Sequence, residues 1–137
     1  MGPRRCYSLS WREQAKRLAA EAAVRELVRD GMVLGLGSGS TVAYAVRCLG
    51  ERVRSEGLEV LCVPTSYQIA YLAVREGLRL TSLEEHQELD LAIDGADQVD
   101  GRLDLIKGGG AALAREKVVD SAARELAIIV DLSLIHI

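Results

Sequence analysis

The chain has 137 residues, 49% of them hydrophobic, which is enough for one domain with a true core and excludes two ordinary domains. A formal net charge of −3 with scattered basic residues leaves no electropositive face for nucleic acid or an anionic membrane surface. No apolar run reaches the length of a membrane span, and Met1-Gly2-Pro3-Arg4-Arg5-Cys6 lacks the apolar stretch of a signal peptide, so a cytoplasmic enzyme or binding domain is expected.

Residues 1–14 read as a polar leader, with Trp11 expected to pack rather than bind a ligand. From Ala15 to Val28, Leu18, Ala22, Leu27 and Val28 recur at helical spacing, and Asp30-Gly31 ends the run as a C-cap. Met32 to Gly37 is a short apolar strand. A second helix opens at Thr41 and runs through Val42, Ala45, Val46 and Leu49. Leu58 to Val63 predicts a buried strand closing on Pro64-Thr65-Ser66, followed by a helix over Tyr67 to Glu76 that Gly77 stops. Leu78 to Leu80 is a short third strand, and Thr81 or Ser82 is placed to cap a brief helix containing Glu84 and Glu85. Leu89 to Ile93 forms a strand ending at Asp94, and Leu103 to Ile106 a further short one. Ala111 to Ala123 is helical behind a triple glycine, and Leu126 to Val130 is a last buried strand ending at Asp131.

Such alternation predicts an α/β, Rossmann-like fold over residues 15–131: a twisted, mainly parallel sheet with helices on both faces. The lack of Phe and the abundance of Val, Leu, Ile and Ala suit a sheet buried on both sides. Ligands in these sheets sit beyond the carboxyl ends of the strands. Four polar clusters fall there: Ser38-Gly39-Ser40-Thr41, Pro64-Thr65-Ser66, Asp94-Gly95-Ala96-Asp97 and Lys107-Gly108-Gly109-Gly110. Cys6, Cys48 and Cys62 are too far apart for a zinc motif and odd in number, so they read as reduced structural thiols, and no metal site is assigned. His86 and His136 lack partners at ligand spacing.

Gly35-Leu36-Gly37-Ser38-Gly39-Ser40-Thr41 joins a strand to a helix, so its amides and hydroxyls suit an anion; the plainer reading is a tight turn. It is not a Walker motif, and Ser40 stands where the dinucleotide fingerprint has its third glycine. Asp94 and Asp97 offer two carboxylates at a strand end for sugar hydroxyls or proton transfer, against the alternative of an Asx turn. Asp100 and Asp104 extend the cluster toward a magnesium site, which the cation of Lys107 opposes. Lys107 and the amides of Gly108, Gly109 and Gly110 combine a fixed charge with a helix N-terminus, an arrangement suited to a developing oxyanion. Glu116 follows at about 9 Å of axial rise from Gly110, counting 1.5 Å per residue, and is either a base for the same pocket or a solvated glutamate between Arg115 and Lys117.

These loops in this order resemble ribose-5-phosphate isomerase of type A, from about Ala15 to Asp131. The most specific blocks are Asp-Gly-Ala-Asp at 94–97 and Lys-Gly-Gly-Gly-Ala-Ala-Leu-Ala-Arg-Glu-Lys at 107–117. The resemblance implies interconversion of ribose 5-phosphate and ribulose 5-phosphate in the pentose phosphate pathway, with no cofactor. It implies Glu116 as general base, Asp94 and Asp97 as groups that bind the sugar and assist ring opening, and Lys107 to Gly110 as donors to an enediolate. Ser38, Gly39, Ser40 and Thr41 match the substrate-binding loop, and homodimers or homotetramers are implied for the full-length protein.

Departures cluster at the carboxyl end. The family carries a substrate-contacting lysine where Leu134 stands here, and it continues into a smaller α+β domain that is absent from this sequence. Leu132-Ser133-Leu134-Ile135-His136-Ile137 is encodable by CTG TCT CTT ATA CAC ATC, which matches a transposon end used as a sequencing adapter; residues 132–137 are expected to be a non-native tail. The chain as given is therefore expected to have little or no activity. A sugar-phosphate sensor domain is the rival from another class, disfavoured by Glu116 and by the lack of a helix-turn-helix before residue 15. A sugar-phosphate deaminase or acyl-CoA transferase is a second rival, disfavoured by the block from Lys107 to Lys117.

Overall fold

The computed structural model describes residues 11–95, 98–99, 105–106 and 112–129; for Arg12, 98–99, 105–106 and 112–116 it is the backbone that is described. In chain order these form α1 (Trp11–Leu27), β1 (Val33–Leu36), α2 (Ser40–Glu56), β2 (Leu61–Pro64), α3 (Tyr67–Arg75) and β3 (Arg79–Leu80). There follow β4 (Leu89–Gly95), β5 (Gln98–Val99), β6 (Leu105–Ile106), α4 (Ala112–Ala122) and β7 (Ala123–Ile129).

Five strands make one sheet in the order β3-β2-β1-β4-β7, and every pairing in it is parallel. β5 and β6 form a separate antiparallel ribbon. From β1 the chain steps outward through β2 to β3, then returns to lay β4 on the other side of β1. The direction of travel thus reverses between β1 and β4, and the loops leaving those two strands diverge from one crevice.

Period-two burial sorts β1 and β2 between two layers, and on β4 it holds for Leu91 and Ile93 but not for Leu89 at the start of the strand. Leu34, Leu36, Cys62, Leu91 and Ile93 face a core shared with α1, α2 and α3, while Val33, Val63 and Leu89 cluster with Val119 of α4. Helices therefore cover both faces, as the alternation of elements predicts. A Cβ on Gly35 would overlap Val119 Cγ1, so this glycine sets how closely α4 lies on β1. Burial pushes the Cys62 thiol up to about 12, and Cys48 and Cys62 are both free, in line with structural thiols; Cys6 lies outside the described residues.

Several boundaries differ from the sequence expectation, each for a local reason. α1 already includes Trp11, ahead of the expected Ala15, and its buried stripe is Ala20 and Val24, continued by Val28 just past its end, while Leu18 is 55% exposed. Trp11 itself is 62% exposed, so it is not a core residue. The strand expected from Leu58 begins at Leu61, because the Glu59 amide is taken by Asp30 Oδ1 at 2.7 Å. Residues 82–86 form a single turn closed by the amides of Glu85 and His86 on the Ser82 carbonyl, not a helix. The hydroxyl of Thr81 is engaged by Glu85 and His86 instead of capping. β7 starts directly after α4, three residues before the expected Leu126.

The α1 terminus is tied to α2 by Arg52, whose Nη1 donates to the carbonyls of Val24 at 2.8 Å and Val28 at 2.9 Å. The Val24 carbonyl also accepts the Val28 amide, so the guanidinium adds a second bond there and binds the Val28 carbonyl just past the helix end. Arg52→Ala is expected to lower the unfolding free energy by about 1.5–3 kcal/mol, the range for hydrogen bonds to a charged group, as read in urea denaturation. A change below about 0.5 kcal/mol would mean that water replaces the guanidinium without loss.

Candidate functional site

The site is built where β1 and β4 end. β1 stops at Leu36, and the Gly37 amide donates to the Ile93 carbonyl at 2.8 Å, which pins the start of the loop to β4. Asp94 follows Ile93 and is fully buried, with Oδ1 accepting the Gly95 amide at 2.8 Å. Its carboxylate fills the space in front of Gly37: a Cβ there would lie 2.5 Å from Asp94 Cγ and closer still to Oδ1. Gly37 is thus required by close approach of a side chain, not by backbone twist.

Gly39 adopts φ 104°, a left-handed conformation that disfavours any L side chain, and it sits at the N-cap of α2 with no side-chain cap. The first-turn amides of this 17-residue helix have no intrahelical acceptors by geometry, and they carry the positive end of the helix dipole. Ser40 is exposed and Thr41 half-buried at that end. Gly95 lies alongside, its Cβ position 3.4 Å from Thr41 Cβ, so the two loops touch.

Two further residues complete the arrangement. Thr65, in the loop after β2, is 1% exposed; its Oγ1 lies 3.0 Å from Ser38 Oγ, and its amide donates to the Leu36 carbonyl. Lys16 of α1 reaches the same loop, with Nζ 3.4 Å from Ser40 Oγ. Hydroxyls, helix amides and an ammonium therefore gather along one loop, and a buried carboxylate packs against its Gly37, a set of donors for an anion near an acceptor for hydroxyl groups.

The sequence profile described as ribose 5-phosphate isomerase A (phosphoriboisomerase A) matches residues 61–135, more than half of the chain. The chain belongs to the ribose 5-phosphate isomerase A family. A ribose-5-phosphate isomerase A from Methanosarcina acetivorans is 55% identical over 119 residues, covering 87% of this chain and 51% of that protein. The solved ribose 5-phosphate isomerase A of Methanocaldococcus jannaschii superposes with a TM-score of 0.85 at 46% identity, over 90% of this chain and 54% of that one. A D-ribose-5-phosphate isomerase in complex with phospho-erythronic acid also gives 0.85, at 41% identity over the same shares. The chain spans about half the length of the relatives it matches.

Of the residues that the family pattern singles out, the structure brings together Ser38, Gly39, Ser40, Thr41, Asp94 and Gly95. Ala96, Asp97, Lys107, Gly108, Gly109 and Gly110 lie outside the described residues. Glu116 is placed by its backbone in the second turn of α4, the helix that covers the β1 and β4 face. Among the described residues no helix is long and apolar enough to cross a membrane.

Two residues that contact this loop, Thr65 and Lys16, are not among the site residues that the sequence singles out. Thr65 was visible as one member of a polar cluster, and only its burial against Ser38 distinguishes it from its neighbours. Lys16 carried no signal, since its proximity to the loop depends on how α1 packs on α2. Thr65→Val keeps the side-chain shape and removes the hydroxyl. It is expected to cost about 1 kcal/mol of stability and to broaden the backbone amide signals of Ser38 to Thr41 in NMR spectra. Sharp, unshifted signals would mean that Ser38 is held without Thr65.

Proposed function

We propose that the parent protein interconverts ribose 5-phosphate and ribulose 5-phosphate, and that this chain supplies the groups that hold the substrate and move its proton. The reading is carried by one observation: a glycine-rich anion loop and a buried aspartate converge at the reversal point of a sheet belonging to this isomerase family. A relative of this fold accommodates a phosphorylated sugar acid, a chemistry consistent with that crevice.

In this account Ser38, Gly39, Ser40 and Thr41, with Lys16, take the phosphate end. Asp94 and Asp97, with the Gly95 and Ala96 backbone, orient sugar hydroxyls and assist ring opening. Glu116 removes the proton from carbon 2 of the open aldose; those electrons form the carbon 1 to carbon 2 double bond, and the carbonyl oxygen becomes an enediolate oxygen. Lys107 and the amides of Gly108, Gly109 and Gly110 stabilise that charge. The proton returns to carbon 1 while the carbon 2 hydroxyl gives up its proton to become the ketone and the carbon 1 oxygen takes one up to become a hydroxyl, so the net change is an isomerisation and no cofactor is consumed. A cytoplasmic homodimer or homotetramer is the assembly proposed for the parent.

The test is an aldose-to-ketose assay on this chain and on a chimera joining residues 11–131 to the carboxyl-terminal half of the Methanosarcina acetivorans relative. The chain alone is expected to bind ribose 5-phosphate with little or no turnover, because Leu134 stands where the family has a contacting lysine. The chimera is expected to turn it over. Tight binding with no turnover by the chimera would assign a sensor instead.

A further inference from the structure

We infer that Tyr44 and Glu13 are positioning residues that hold the Lys16 ammonium at the mouth of the loop from Ser38 to Thr41. The inference rests on the reading of that loop as the phosphate end of the site, and it adds how the cation is kept there.

Glu13 and Lys16 lie one turn apart on α1, and Tyr44 projects from α2. Tyr44 Oη donates to Glu13 Oε2 at 2.9 Å, and Lys16 Nζ approaches the other oxygen, Oε1, at 3.4 Å. The same ammonium stands 3.4 Å from Ser40 Oγ. Each oxygen of the carboxylate is thus engaged by a different helix, so the carboxylate is oriented from two sides.

An exposed pair of charges on one helix holds its geometry poorly, because two long side chains must be ordered for a weak gain. Here the third member crosses to the neighbouring helix, and the Arg47 guanidinium lies over the Tyr44 ring, 5.8 Å from its centroid. Burial, then the hydrogen bond to Glu13, push the Tyr44 phenol above its ordinary range. A lysine ordered before the ligand arrives loses less freedom on binding than a mobile one, and affinity rises accordingly.

The test uses the full 137-residue chain, titrated with ribose 5-phosphate and with ribose by NMR and calorimetry. Lys16→Met is expected to weaken ribose 5-phosphate binding about 10-fold, and Tyr44→Phe and Glu13→Gln about 3- to 10-fold each. In the Lys16→Met background neither second change should weaken it further, an interdependence that a merely structural role would not produce. The two Lys16 ε protons are also expected to resolve separately in the ligand-free parent and to merge in both positioning variants. Parent-like affinity in Tyr44→Phe and Glu13→Gln, equal losses with and without Lys16, or merged ε signals in the parent would each overturn the inference while the loop reading stands. Ribose 5-phosphate binding no tighter than ribose, without movement of the Ser40 and Thr41 amide signals, would overturn the loop reading and the inference with it.

Discussion

Glu116→Gln in the chimera is expected to lower kcat by about 10²- to 10⁴-fold while leaving KM within a few-fold, the range ascribed to one positioned general base. Glutamine keeps the size and most of the hydrogen-bonding reach of glutamate but takes no proton from carbon. The carbon-bound proton next to a sugar carbonyl is weakly acidic, so its removal is the step in which an aligned carboxylate matters most. α4 carries Glu116, and the helix is seated by Val119, which is 4% exposed and packs with Val63 and Leu89 on the sheet. Steady-state kinetics of parent and variant decide the matter. A fall in kcat of less than about tenfold would assign the proton transfer to another group.

Gly37→Ala should be nearly as damaging for a different reason. The added methyl would occupy the position of the Asp94 carboxylate, which is fully buried. The loop cannot retreat either, since the Gly37 amide is held by the Ile93 carbonyl in the neighbouring strand. Asp94 must then rotate and give up its bond from the Gly95 amide, or β1 and β4 must part. Overpacking of this kind costs about 1–3 kcal/mol, and a displaced Asp94 should weaken ribose 5-phosphate binding by about tenfold or more. Thermal unfolding and ligand titration measure the two effects. In an Asp94→Ala background the stability cost of Gly37→Ala should shrink, because the overlap with the carboxylate is gone and the tight approach to the residue 94 Cα at 3.2 Å is what remains. An equal cost in both backgrounds would show that the overlap is not its cause.

The strand, glycine-rich loop and helix from Val33 to Glu56 were legible because apolar runs and glycines punctuate them sharply. The same holds for the strand ending at Asp94, and the order of these units implied the parallel sheet. What was not legible depends on neighbours. In α1 apolar residues occur on more than one side, and the side that faces the core is the one with small residues, Ala20 and Val24, against which α2 can pack. Leu18 and Leu27, more hydrophobic, remain exposed. The start of β7 was hidden because no glycine or proline separates it from α4, and Arg124 and Glu125 read as a helical surface. They are exposed on a strand that pairs with β4 alone among the described strands. The sequence places the loop from Ser38 to Thr41 and Asp94 at neighbouring strand ends, and the structure sets them side by side there. Lys16 was one charge among many on a helix, and only the side-by-side packing of α1 and α2 brings it to Ser40.

The most direct measurement is isotope incorporation by the chimera incubated with ribose 5-phosphate in deuterium oxide, followed by NMR of the products. Proton transfer through an enediolate by a carboxylate open to exchange predicts deuterium at carbon 1 of ribulose 5-phosphate and its loss from both products in the Glu116→Gln variant. Conversion with no deuterium on carbon, or full incorporation without the Glu116 carboxylate, would contradict the account.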